Sequence, residues 1–281
     1  MSALTRALTA PTYSLFRKNP RFYLMYDGFW LIVCSTLLAG FALTGFEPLL
    51  PGPSLTYLAV FPVLLFALIW AHLTIHNCTH GNLPKAINRL VGEGLGIIVL
   101  VRFASWEIVH MRHHRHSDDR DLDPHPNFPS FWRTAAHTVV RVEQQLFAQY
   151  FDFWGDTPEN RAKERARARV SYGTNLVLGA VWAWVLGPWF FVLVFVPANL
   201  LAGLFVIHFN WVTHNGEAAK TVEDMRPVNL QGRRYRIGNA LFCGIYAHET
   251  HHAKPYLFNP ARFKGELSER QARAREGKVA S

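Results

Sequence analysis

One uncharged stretch, Val170 to Gly216, constrains the fold of this chain more than any other feature. It contains no Asp, Glu, Lys or Arg, and as one straight helix it would reach roughly 70 Å. A bilayer core is only about 30 Å thick, so the stretch must fold back on itself. Gly187-Pro188 lies near its middle and is typical of a turn. The pattern predicts two consecutive spans, over about 172–187 and 189–212.

Two further stretches are apolar enough to cross a membrane. Neither Gly28–Phe46 nor Leu55–Ile75 contains a charged side chain. They predict two earlier spans, over about 28–47 and 54–76. The expected fold is therefore an all-α integral membrane protein with four transmembrane helices, of which the third, 172–187, is the shortest.

The basic residues indicate which parts of the chain share one side of the membrane. No Lys or Arg occurs between Arg21 and Lys85, or between Arg169 and Lys220. With four spans, the three Lys- and Arg-containing regions lie on the same side. Positively charged loops stay in the cytoplasm, so both termini and the central region are expected there.

This topology divides the chain into three regions. Residues 1–27 are expected to form a cytosolic arm, 28–262 the membrane domain and 263–281 a charged tail. Only the links Glu47–Pro53 and Gly187-Pro188 would lie outside the cell. The net charge of +9 is explained by the excess of Lys and Arg expected in cytosolic regions, where basic side chains are attracted to anionic lipid headgroups. We therefore expect a membrane partner and no nucleic acid.

Three histidine boxes lie beside these apolar stretches. They are His76-Asn-Cys-Thr-His80, His110-Met-Arg-His113-His114 and His248-Glu-Thr-His251-His252. Spacings of three and four residues place side chains on one face of a helix. Since a neutral imidazole is a good metal ligand, each box offers nitrogens toward a common point. One box alone is ordinary, but three on one side of a membrane predict a metal centre.

A further histidine, His214, ends the fourth predicted span in Asn210-Trp-Val-Thr-His214. With the boxes it makes nine candidate ligands, which are too many for one ion. Two metals with four or five ligands each would use them all. Zinc prefers four ligands and a closed structural site. Nitrogen-rich sites with vacant positions suit iron that must meet oxygen.

The order HxxxH, HxxHH and HxxHH, with apolar spans between the boxes, resembles the membrane-bound fatty acid desaturase and hydroxylase superfamily. The resemblance covers roughly residues 25 to 262. It implies a cytosolic helical cap that carries a di-iron site and uses O2 as co-substrate. By this resemblance the iron ligands are His76, His80, His110, His113, His114, His214, His248, His251 and His252. It implies no other catalytic residue, and Asn210 would hold iron through a water.

Acidic residues close to the boxes are candidates for orienting them. Four aspartates follow the second box, namely Asp118, Asp119, Asp121 and Asp123. Ligating histidines usually donate their second N–H to a carboxylate or carbonyl, so we expect one or two of these to orient that box. Glu249 would at most hold a hydrogen bond beyond the ligands.

The remaining histidines lie outside the family pattern. His72 precedes His76 by one turn inside the expected bilayer, and a metal or substrate role for it stays open. Supporting or structural roles are expected for His116, His125, His137 and His208.

Two other functional classes compete with this interpretation. His248-Glu249-x-x-His252 also fits the signature of a zinc metalloprotease with a glutamate base, but that leaves the other two boxes without a role. The other class is a non-catalytic metal-binding or transport protein. Transporters usually have more spans and more polar residues at mid-membrane depth. At that depth the expected spans contain no Asp, Glu, Lys or Arg, and apart from His72 they offer no candidate of this kind.

The sequence therefore predicts an O2-dependent di-iron desaturase acting on a fatty acyl or lipid-like chain. Desaturation is favoured because the step from Asn210 to His214 resembles acyl-CoA desaturases. The alternative is a hydroxylase or ketolase of a fatty acyl, sphingoid or carotenoid substrate. The chain shows no cytochrome b5-like or ferredoxin-like region, so a separate donor of either type is expected on the cytosolic face.

Overall fold

The computed structural model describes residues 21–45 and 52–263, and within them it is helical without a β-strand. The helices are α1 Arg21–Thr44, α2 Thr56–Thr79, α3 Lys85–Ile98, α4 Phe103–His116, α5 Phe131–Trp154, α6 Pro158–Leu186, α7 Pro188–Thr213, α8 Arg236–Leu241 and α9 His248–Ala253. Short 3-10 turns lie at Val222–Asp224, Arg233–Tyr235 and Pro260–Arg262, and α7 has a π-helical turn at Phe191–Phe195. The all-α prediction is confirmed for these residues.

Three of the described helices, α1, α2 and α7, are long and apolar enough to cross a membrane. A fourth span arises if α3 and α4, which meet at an angle of 102°, are counted as one broken span. The predicted span 172–187 is instead the C-terminal part of α6 and is not among these helices. The N-terminal half of α6 is rich in Arg, so only the second half of this helix is apolar. The four-span layout stays a prediction.

The helix boundaries follow the apolar stretches closely. α1 begins at Arg21, ahead of the expected 28, and α2 continues to Thr79. The predicted turn between α6 and α7 is present, with Gly187 at a φ of +91°. Glycine adopts this conformation without the steric cost of a Cβ atom, and the following proline suits the first turn of a helix. Most of the link Glu47–Pro53 lies outside the described residues.

Aromatic side chains form the contact between α1 and α2. The ring centroids of Tyr26 and Trp70 are 5.5 Å apart, and those of Trp30 and Phe66 are 5.3 Å apart. Both pairs meet edge to face, an arrangement that stabilises by about 0.5–1.5 kcal/mol beyond the burial of area. This packing fixes the helix that ends in the first histidine box.

The outer faces of α1, α2 and α7 are apolar. Leu43, Leu58 and Leu200 are 82%, 75% and 63% exposed. Soluble monomers rarely expose large contiguous apolar patches, whereas lipid-facing helices do. The exposed side chains therefore support a membrane protein.

A buried ion pair holds the sharp bend between α3 and α4. Arg102 precedes α4, and its guanidinium bonds Glu164 of α6 and Glu143 of α5. The side chains of Arg102 and Glu164 are 2% and 0% exposed. Ser105 of α4 donates a further hydrogen bond to Glu164 at 2.5 Å. The first turn of α4 is thus fastened to two other helices.

The apolar half of α6 supports the same bend. The carbonyl oxygen of Ile97 in the last turn of α3 accepts hydrogen bonds from Ser171 at 3.2 Å and Asn175 at 2.7 Å. Carbonyls in the last turn of a helix have no partner within it, so these side chains complete the end of α3. α6 therefore braces the helix pair that leads into the second box.

Candidate metal centre

Four separate elements bring the histidines together. His76 lies in the last turn of α2, and His80 follows that helix directly. The second box ends α4, the third box forms α9, and His214 follows the last residue of α7. Each element presents its imidazoles at one end, so the rings meet at a single place.

The larger group combines all three boxes. Its members each offer one ring nitrogen, and these nitrogens all lie within 4.8 Å of one another. The members are His76, His80, His110, His114 and His251. In this group, Nε2 of His80 lies 3.0 Å from Nε2 of His110.

A second group lies beside the first. Ring nitrogens of His113, His214 and His252 also fall within 4.8 Å of one another. Nε2 of His113 is 3.3 Å from Nε2 of His214. His248 adjoins this group, since its Nε2 is 3.2 Å from Nε2 of His252 and its ring centroid is 5.0 Å from that of His214. All nine predicted ligands thus lie in two adjacent clusters.

The spacing of these nitrogens fits bound metal ions. Two nitrogens that bind one ion at about 2.0–2.1 Å, with angles of roughly 90–110°, lie roughly 2.8–3.4 Å apart. Among the described residues, both ring nitrogens of His76 and His114, and Nε2 of His251, are buried without a hydrogen-bond partner. Buried polar atoms normally have a partner. A neutral imidazole has one free lone pair, and a cation among these rings would accept it from each of them, so the donor set fits a metal centre.

Two aspartates fix the rings of the second group. Asp123 accepts a hydrogen bond from Nδ1 of His113 at 2.8 Å, and Asp118 accepts one from Nδ1 of His214 at 2.5 Å. With Nδ1 protonated, each Nε2 keeps its lone pair for the cluster. Asp123 therefore supports the second box as its position suggests, whereas Asp118 supports His214.

The other predicted acidic residues have different partners. The carboxylate of Asp119 accepts hydrogen bonds from the backbone N–H groups of Asp121 and Leu122, and these bonds close a turn. The side chain of Asp121 is exposed. Glu249 accepts a hydrogen bond from Asn229 at 2.9 Å.

Burial and pairing set the charges at this centre. Burial alone would raise the pKa of Asp118, but the His214 ring and the Asn127 amide lower it below its usual value. The pKa of Asp123 is lowered in the same way by His113, against the effect of its burial. Burial first, and then neighbouring rings, lower the pKa values of the three α9 histidines far below 6.5. These imidazoles are therefore neutral, which is the form that binds metals.

Asn210 reaches the cluster through a chain of hydrogen bonds. Its amide donates to Asn127 at 3.1 Å, and the Asn127 amide donates to Asp118 at 3.1 Å. Asp118 in turn holds His214. Asn127 is fully buried, and nothing in its sequence context distinguishes it from an ordinary loop residue. The structure thus adds a link that sequence reasoning missed.

Asp27 is a second residue that sequence reasoning missed. It is 3% exposed and accepts a hydrogen bond at 2.8 Å from Asn77, the neighbour of His76. Its signal was present in the sequence, because it is the acidic residue that directly precedes the uncharged stretch Gly28–Phe46.

His125 packs directly on a ring of the second cluster. It stacks on His113 at a centroid distance of 4.1 Å and on Trp106 at 5.7 Å. With His113 and Asp123 it forms a third group that could hold an ion. Since His113 belongs to the second group as well as to this third one, we interpret His125 as a support for the His113 ring. Burial lowers the pKa of His125 to about 4, so it stacks as a neutral ring.

The other histidines that the family pattern does not use lie at the edges of the site. His137 packs against Phe128, and His208 packs against Phe131 and Trp211. His116 is the last residue of α4 and is partly exposed. His72 bonds the carbonyl of Leu68 and belongs to none of the three groups.

A cavity of about 310 Å³ reaches the two clusters. His76, His110 and His248 form part of its wall. The rest of the wall is mainly apolar and comes from α2, α4, α5, α7 and the bend before α4. Pockets for small molecules are typically about 300–1,000 Å³, largely apolar, with a few polar groups. The cavity can therefore place an apolar chain against the imidazole clusters.

Comparison with known proteins agrees with this geometry. The family model described as fatty acid desaturase matches residues 53–258, which include all three boxes and His214. No curated protein and no solved structure matches the chain. The family match extends over well more than half of the sequence, so the protein belongs to the fatty acid desaturase family.

Proposed function

We propose that this protein is an O2-dependent di-iron desaturase that introduces a double bond into a fatty acyl or lipid-like chain. The observation that carries the proposal is the pair of imidazole clusters beside one apolar cavity. The larger cluster supplies five ligands, and the second supplies His113, His214, His252 and the adjoining His248. Asn210 completes the set through a water.

The bound irons would supply dioxygen activation and the removal of hydrogen from an unactivated C–H bond. The chain's own residues position the reactants. Asp118 and Asp123 hold two of the rings, and the apolar wall orients the substrate and keeps bulk water away. Holding the reacting carbon close to the centre is worth several kcal/mol of barrier, since bound reactants need no further ordering.

Loss of a second hydrogen gives a double bond, whereas transfer of hydroxyl gives an alcohol or, after further oxidation, a ketone. The same ligands serve both outcomes. We favour desaturation because the Asn210–His214 step resembles acyl-CoA desaturases. Hydroxylation or ketolation of a fatty acyl, sphingoid or carotenoid substrate is the alternative outcome of the test below.

The distribution of Lys and Arg supports a cytosolic active site with both termini in the cytoplasm and four transmembrane helices. Electrons would then come from a separate ferredoxin or cytochrome b5 type protein on the cytosolic face.

The first test is the metal content of the protein purified in mild detergent. We expect two irons and little zinc per chain by elemental analysis. One zinc without iron would instead support the protease-like alternative at His248-Glu249-x-x-His252.

The second test is the lipid profile of a host that expresses the chain. A new unsaturated product should appear, and it should be absent with His113→Ala at matched protein level. A hydroxylated or keto product would assign the alternative reaction, and an unchanged profile with full iron would contradict a lipid substrate in that host.

A further inference from the structure

His72 occupies an unusual position in the cavity wall. It lies on α2 one helical turn before His76 and is partly exposed. Four residues of helix correspond to about 6 Å along the axis, so His72 lies that far beyond the first metal-binding ring. The same wall includes the apolar residues Ile69, Leu73 and Phe205.

The hydrogen bonding of His72 fixes which nitrogen carries the proton. Nδ1 lies 2.9 Å from the carbonyl oxygen of Leu68. A carbonyl oxygen only accepts, so Nδ1 must be the N–H donor. A charged imidazolium without an anion is costly in an apolar wall. The ring is therefore neutral, and Nε2 has a free lone pair.

This second nitrogen has no partner within residues 21–45 and 52–263. Because the ring lines the cavity and is partly exposed, Nε2 is available to whatever occupies that space. Nε2 of His125 in the same wall is also buried without a partner in the described part of the chain, but that ring stacks between His113 and Trp106. Three other polar groups in the wall differ from His72. Thr134 exchanges hydrogen bonds with Phe128, Asn210 bonds Asn127, and Arg141 is exposed.

A plain hydrocarbon against Nε2 would leave a buried acceptor unsatisfied, which is unfavourable. A ligand that donates a hydrogen bond there would satisfy it. We propose that the cavity binds an apolar chain carrying a hydroxyl group, and that this hydroxyl donates to Nε2 of His72. The inference rests on the proposed function, since it places the hydroxyl near the carbon that the metal centre would oxidise.

The test compares two probes of similar shape, 1-hexadecanol and 1-fluorohexadecane, of which only the alcohol donates a hydrogen bond. Equilibrium binding of each radiolabelled probe is measured on purified full-length protein in the same detergent. Two variants form a matched pair. His72→Asn keeps a donor that can reach Leu68 but removes the acceptor at Nε2. His72→Gln places its carbonyl oxygen close to the position of Nε2.

The ratio of the affinity for the alcohol to the affinity for the fluoride should be roughly three- to tenfold higher in wild type and His72→Gln than in His72→Asn. This factor corresponds to one neutral hydrogen bond. Partition of the probes into micelles cancels in this ratio. Equal ratios in wild type and His72→Asn, or no saturable binding of the alcohol, would overturn the inference.

Iron is measured in the same samples, which separates this inference from the proposed function. Full iron without a preference for the alcohol refutes the role of His72 and leaves the metal centre standing. A preference in protein that never takes up iron supports the role of His72 and refutes the metal centre.

Discussion

Asp118 accepts a hydrogen bond from Nδ1 of His214 at 2.5 Å, although the two residues lie 96 positions apart in the sequence. Both side chains are buried, at 2% and 0% exposure. The contact turns Nε2 of His214 toward His113 and His252. A carboxylate that accepts from a ligating histidine fixes the tautomer and the orientation of the ring.

Asp118→Asn should therefore weaken metal binding at the second cluster. An amide still fills the space but is a weaker acceptor for the imidazole N–H. Loss of such a partner typically lowers metal affinity by about 10- to 100-fold. We expect reduced iron per chain after dialysis against a graded chelator series, measured by elemental analysis.

The matched control for that experiment is Asp121→Asn, because Asp121 is in the same loop with an exposed side chain. It should retain iron as wild type does. Equal chelator sensitivity of the two variants would show that the Asp118 contact does not support the metal site.

Glu164→Gln should disturb the second box from a distance. Glu164 binds Arg102 and Ser105, and both partners lie at the start of α4, which carries that box at its other end. Breaking a buried pair by removing one charge typically costs about 3–5 kcal/mol, because the other charge stays buried. We expect a lower unfolding temperature and reduced iron occupancy. Glu159→Gln on the same helix removes an exposed partner of Lys163 and should change neither.

A further variant distinguishes this effect from general misfolding. Glu143→Gln also removes a partner of Arg102, but the Glu143 side chain is 41% exposed and leaves the Glu164 pair intact. It should lie between the other two variants in both unfolding temperature and iron. Iron loss without any change in unfolding temperature in Glu164→Gln would contradict a role through the anchoring of α4.

The histidine spacings were readable from the sequence because they are local. Positions three and four residues apart share a helix face whatever the rest of the fold does. The division of nine rings into two clusters was not readable, since His113 and His114 are adjacent yet belong to different clusters. That division depends on how α4 is oriented against α2, α7 and α9. The Arg102–Glu164 pair, which fixes α4, joins residues 62 positions apart.

The apolar stretches predicted α1, α2 and α7 for a similar reason, since composition alone sets how well a helix suits the bilayer. The segment 172–187 shows the limit of this argument. Its apolar residues continue a helix that begins at Pro158, and Ser171 and Asn175 bond the end of α3. Composition does not reveal that this apolar segment belongs to a longer helix with an Arg-rich first half.

The sidedness of the membrane can be tested by cysteine labelling. In a variant with the native cysteines replaced by Ala, we expect Ser54→Cys to react with an impermeant maleimide added to intact cells. Asp121→Cys should react only after the cells are permeabilised, because the aspartate-rich loop after α4 is expected in the cytoplasm. External labelling of Asp121→Cys would place the second box on the outer side and contradict the proposed topology.

The last prediction separates an oxidase from a protease within the third box. In a zinc protease Glu249 is the general base, and its loss would remove nearly all activity. In the structure Glu249 accepts a hydrogen bond from the side-chain amide of Asn229, and the amide oxygen Oδ1 of Asn229 accepts one from the backbone N–H of Thr250. Glu249 therefore helps to fasten the start of α9. Glu249→Gln keeps an acceptor oxygen for that contact, so it should retain full iron and measurable turnover.

His214→Ala is the matching variant, since His214 lies outside the protease motif but within the second cluster. It removes a proposed ligand and leaves Asp118 buried without its ring. We expect loss of iron from the second cluster and no product in the lipid profile at wild-type protein level. An inactive Glu249→Gln beside an active His214→Ala would reverse this order, and the third box would then be acting as a zinc site by itself.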